Sequence, residues 1–134
     1  RKFRIDHHPL EDFTPVCPLE RPHAGADIDL HAGPIVISIE YHTLSEKVEE
    51  FKKLMSKTRK SRLKQGALSW SLFEDTDHPG RFVEDFVFET WADYLRTFDR
   101  FTTEDLNMQE ERHQFHIDPQ PPKITRRVAS AIKD

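Results

Sequence analysis

The chain has 134 residues, 36% of them hydrophobic and 33% charged, with a formal net charge of -4. A chain of this length supports one small core, and its mildly acidic balance argues against general nucleic-acid binding. The single cysteine, Cys17, cannot close an internal disulfide, and no run approaches the ~20 apolar residues of a membrane-spanning helix.

Residues 1–33 carry Pro9, Pro15, Pro18 and Pro22 among scattered histidines and acidic residues, with no apolar periodicity. That composition predicts an extended linker or tether ahead of a domain at 34–134. His7 and His8 have no cysteine or carboxylate at ligand spacing, so no metal site is predicted. The chain starts on Arg1 and has no signal-peptide pattern, which reads as a piece of something longer.

The first strand is expected over 34–42. Ile35, Ile37, Ile39 and Tyr41 alternate with Val36, Ser38, Glu40 and His42, giving one dry face and one mixed face. Residues 43–65 predict a helix, with Thr43 or Ser45 as its cap and Leu44, Val48, Phe51 and Met55 as its apolar stripe. Its second half holds Lys52, Lys53, Lys57, Arg59, Lys60, Arg62 and Lys64 with no acidic residue between them. These cations suit the negative end of a helix, form a solvated face, and are the candidates for contact with anionic lipid.

Residues 66–91 predict a hairpin. Leu68, Trp70 and Leu72 alternate with serines, Phe82, Phe86 and Phe88 repeat the pattern across Glu84 and Asp85, and the stretch 74–80 supplies Asp, Pro and Gly for the reversal. A second helix is expected over 90–101, with Trp91, Tyr94, Leu95 and Phe98 on one stripe. These aromatics either fill a core or wall a pocket for a small hydrophobic ligand, with Trp70, Trp91, Tyr94, Phe98, Phe51 and Met55 as the candidate lining. A third helix over 102–115, opened by Thr102 or Thr103, leads past Pro119, Pro121 and Pro122 to a charged edge strand at 123–131. His113 and His116 read as surface residues.

The order strand, helix, strand, strand, helix and late strand is that of an α+β ferredoxin-like sandwich, an antiparallel sheet covered by helices. On the stretches PIVISIEY, GALSWSLFEDTDHPGRFVEDFVFETW and WADYLRTFDRF, the chain resembles the antibiotic biosynthesis monooxygenase-like, dimeric α/β barrel family. It resembles more closely the soluble C-terminal domain of major facilitator transporters of the enterobactin-exporter type. That likeness implies a homodimer joined through the mixed sheet faces, a tether from an N-terminal transmembrane domain, and a place at the cytoplasmic face of the membrane. It implies no cofactor: the first strand lacks the Asn, and the stretch after Trp91 lacks the early His, of haem-degrading relatives. Two functions follow. One is a dimerising, regulatory or ligand-sensing module of an exporter; the alternative is a cofactor-independent monooxygenase or small-molecule-binding enzyme using His42 as base and Tyr94 as donor.

Overall fold

The computed structural model of the chain describes Pro22 and residues 27–134. Most of the expected linker, with His7, His8 and Cys17, lies outside the described residues. Strand β1 (Ile35–His42) leads through a short 3-10 turn (Ser45–Lys47) into helix α1 (Val48–Lys64). The hairpin strands β2 (Ser69–Glu74) and β3 (Arg81–Phe88) follow, then α2 (Trp91–Asp99), α3 (Thr103–Phe115) and β4 (Lys123–Val128).

All neighbouring strands pair antiparallel, in the order β2-β3-β1-β4. The two central strands bring the densest apolar alternation, because only they have neighbours on both edges. Register places Ile35 opposite Phe88, Ile37 opposite Phe86 and Tyr41 opposite Phe82. These six are buried beneath the helices together with Phe51, Met55, Trp91, Tyr94 and Phe98. Burying each such aliphatic or aromatic side chain contributes about 1.5–3 kcal/mol relative to leaving it exposed. Phe51 is fully buried, with its ring 5.3 Å from Tyr41, 5.1 Å from Phe82 and 5.7 Å from Phe115.

Helix α3 begins as its sequence predicts, with Thr102 in a reciprocal capping box with Asp105, and α2 starts at Trp91 with Thr90 outside it, accepting from the amide of Asp93. Helix α1 differs from expectation: it starts at Val48 without a side-chain cap, Thr43 is buried, and Leu44 is exposed. Leu54, not Leu44, belongs to its buried face. Leu68 also falls outside the dry face, because it precedes β2 and is exposed.

Residues just ahead of β1 pack on the same unit. Ile28 touches the core, and the carbonyls of Ala32 and Leu30 accept from the amides of Trp91 and Ala92 at the start of α2.

Gly80 closes the hairpin with φ +93°, and a Cβ there would lie 2.4 Å from the carbonyl oxygen of Thr43. Both its left-handed backbone and this approach exclude a side chain. Gly80→Ala is therefore expected to cost about 1–3 kcal/mol, read as a lower urea midpoint at unchanged slope; a wild-type midpoint would contradict this packing.

The opposite face of the sheet carries Val36, Ser38 and Glu40 from β1, Val83, Asp85 and Val87 from β3, and Thr125 and Arg127 from β4. Among the described residues, no helix crosses it.

Candidate functional site

The alternation of β3 places Glu84 on the helix side, in phase with Phe82, Phe86 and Phe88. It is fully buried. A carboxylate there is tolerable only if its lone pairs are filled. Tyr41 Oη–H donates to Oε1 at 2.9 Å, Trp70 Nε1–H to Oε2 at 2.9 Å, and Arg62 donates through Nε at 2.9 Å and Nη2 at 3.3 Å. Burial alone would raise the Glu84 pKa, but the charge and hydrogen bonds of Arg62, the charge of Arg112 and the Trp70 donor together hold it below the ordinary glutamate value.

Arg62 therefore leaves the expected set of outward cations: it turns inward to Glu84 and stacks over the Phe86 ring at 4.4 Å. Arg112, from α3, is buried as well and donates to Thr58 Oγ1 at 3.1 Å. One turn earlier on α3, Gln109 is buried with neither amide atom hydrogen-bonded.

The candidate pocket residues all lie at or beside one core but do not line one space. Tyr94 and Phe98 border a cavity of about 30 Å³ together with Arg62, Gln65 and Phe101. That is room for a water or two, against the roughly 300 Å³ at which ligand pockets begin. Trp91 packs at 5.4 Å on Tyr94, while Phe51 and Met55 serve the core without bordering the cavity. Trp70 is half-buried and committed to Glu84. The Tyr94 hydroxyl accepts from Arg126 Nε at 2.8 Å.

His42 lies on the other side of the sheet. Its side-chain partner is Asp118, whose Oδ1 is 2.8 Å from His42 Nδ1, with Arg81 at 3.6 Å from Asp118 Oδ2. His42 and Tyr94, the expected base and donor, thus stand on opposite faces and cannot address one substrate.

His116 joins this cluster instead of lying free at the surface. Its Nδ1 accepts from the backbone amide of His42 at 3.0 Å, and its Nε2 contacts the carbonyl of Gln120 at 2.9 Å. The ring is thereby fixed as the neutral Nε2–H tautomer. The amide of Ile117 returns a bond to the His42 carbonyl, so the segment after α3 is latched to the end of β1. The chain also leaves a surface depression of about 240 Å³ there, bordered by Glu40, Asp75, Arg81, His116 and Asp118.

Burial lowers the pKa of His116 most, with His42 and His113 adding to it against the opposing pull of Asp118 and Gln120. A depressed histidine stabilises the fold above its unfolded value of 6.5 and loses that contribution as pH falls toward its folded value. Thermal stability should accordingly drop as pH falls below about 6.5, and His116→Gln should flatten that part of the curve. Identical slopes in melts of the two proteins would remove His116 from the account.

The basic residues of α1, Arg62 apart, remain on its exposed surface. Lys52 is 3.8 Å from Glu49, whereas Lys57, Lys60 and Lys64 border an open groove of about 590 Å³ between α1 and α3. Among the described residues no helix is long and apolar enough to cross a membrane, and no group of side chains could hold a metal ion.

Over residues 1–133 the sequence matches the family described as transmembrane secretion effector, a major facilitator group. The chain belongs to that family. No curated protein matches it. Its fold is shared by solved structures at low identity. A protein from Deinococcus radiodurans, provisionally assigned as an antibiotic biosynthesis monooxygenase, aligns with a TM-score of 0.61 at 14% identity, over 75% of this chain and 96% of that one. A similarly assigned protein from Bordetella bronchiseptica gives 0.60 at 14%, over 74% and 99%. A conserved protein from Methanosarcina mazei gives 0.59 at 15%, over 70% and 90%. The likeness establishes the α+β ferredoxin-like fold expected from the element order.

Proposed function

We propose that the chain is the non-catalytic module of a major facilitator exporter, pairing with a second copy through its open sheet face and regulating or assembling the transporter from the cytoplasmic side. The observation that carries this reading is the division of the sheet. Among the described residues α1, α2 and α3 cover one face, and the other presents Val36, Val83 and Val87 among residues able to hydrogen-bond across an interface, including Ser38, Asp85, Thr125 and Arg127. Ser38 Oγ–H already donates to Asp85 at 2.6 Å, which orders the centre of that face.

The family match supports a transporter context. The oxygenase alternative draws on the fold alone. It would require the 30 Å³ space beside Tyr94 to grow about tenfold, and a base other than His42.

The reading is tested in the parent transporter. A substitution that separates the paired domains, Val87→Glu, is expected to change the rate of dye export from cells at unchanged transporter abundance. Unaltered export by a variant already shown to be unpaired would reject a regulatory role.

A further inference from the structure

The spacing of Lys53, Lys57, Lys60 and Lys64 (four, three, four) aligns them along one flank of α1. That flank is turned away from the buried line of Phe51, Leu54, Met55 and Thr58 and therefore from the sheet. All four lysines are exposed, and none has an ion-pair partner among the described residues. This distinguishes them from Lys47 and Lys52, which lie within 4 Å of Glu50 and Glu49.

Lys57, Lys60 and Lys64 form one wall of the groove between α1 and α3, and Arg100 stands at its border. The carboxylates facing them are Asp105, Glu104 and Glu111. Asp105 is already occupied by Thr102, Ser61 and Gln65. Four cations thus meet two uncommitted carboxylates across a space of about 590 Å³, with the side chain of Met108 in its lining. At the end of α1 Leu63 is exposed, and so is Leu68 in the stretch leading from that helix into β2. Uncompensated cations on the same amphipathic helix as an exposed leucine are the composition of a surface that rests in the headgroup layer of a bilayer.

We infer that this flank of α1 docks on an anionic phospholipid surface, with Lys57, Lys60, Lys64 and Arg100 receiving a phosphate headgroup in the α1–α3 groove. Charge complementarity argues for that occupant, and the open shape of the groove suits a headgroup presented from a plane. The docking flank lies on the helix side, so lipid contact and sheet pairing do not compete for the same residues.

The test uses the intact chain and vesicles, either of phosphatidylcholine alone or with about one-third phosphatidylglycerol. Co-sedimentation is expected only with the anionic vesicles, falling steeply between roughly 50 and 500 mM salt. Each basic residue near such a surface is worth about fivefold in affinity. Lys57→Gln, Lys60→Gln and Lys64→Gln together should therefore weaken binding on the order of a hundredfold. Replacing Lys47, Lys52 and Arg59 by Gln removes the same formal charge elsewhere on α1 and the turn before it, and should weaken it by less than about fivefold.

Equal losses in the two triple variants would overturn the proposal, as would equal binding to neutral vesicles or none to anionic ones. Binding of tripolyphosphate without vesicle binding would also overturn it, by assigning the groove to a free phosphate ligand. Circular dichroism and sedimentation velocity on both variants separate a lost fold or lost pairing from a lost lipid contact.

Discussion

Glu84→Ala is expected to destabilise the domain by about 3–5 kcal/mol, because it removes the Glu84 counter-charge from the largely buried Arg62 guanidinium over Phe86. It also strips partners from Tyr41 and Trp70 and removes the carboxylate whose field includes Arg112. The double variant Glu84→Leu with Arg62→Met should recover much of the loss, since replacing both charges leaves neither stranded. Chemical denaturation of Glu84→Leu, Arg62→Met and the double variant closes the cycle that measures the coupling. Equal losses in Glu84→Leu and the double variant would show that Arg62 is not the group stranded by the loss of Glu84. The same carboxylate gives the fold an acid limit. Its pKa is depressed, so its contribution is fully present above the unfolded value of 4.5 and is lost as pH falls through the folded value.

The second large effect concerns association. Val87 sits on the open face one residue from the end of β3, two residues along from the central Asp85 and opposite Val36 on β1 and Ser69 on β2. Val87→Glu should leave the folded protomer within about 1 kcal/mol of wild type, because the position is only half-buried in one chain. In a face-to-face pair it adds a second carboxylate beside Asp85 in each copy, in a site that pairing desolvates. Association should weaken on the order of a hundredfold or more. Sedimentation velocity across a dilution series measures it, and an unchanged dissociation constant would place the contact elsewhere.

The outline of this fold was readable because its main signals are local. Alternation in the first strand and hairpin, the threonine cap of α3, and the Asp-Pro-Gly reversal each act within a few residues. What the sequence concealed is carried by contacts between distant segments. Glu84 looks like a wet-face residue until register shows that it shares a face with Phe82 and Phe86; its inward phase in a Phe-x-Glu-x-Phe run was the available signal. Arg62 looks like one more surface cation in a basic stretch, although its position one turn beyond Thr58 aims it at the core. The assembly of His42, His116 and Asp118 depends on a segment 74 to 76 residues downstream folding back on β1, which no spacing rule reveals. The aromatic stripe of α2 was correctly read as apolar, but periodicity cannot separate a packed core from a walled pocket. Only the small volume beside Tyr94 and Phe98 does so.

Pairing through the bare side of the sheet is what makes the proposed module a scaffold and not an isolated fold. Its most direct measurement is the solution mass of the chain by sedimentation equilibrium. Twice the single-chain 15.8 kDa, collapsing to one with Val87→Glu, is the predicted result. A single-chain mass at every concentration, with the valines of that face still open to water, would contradict it.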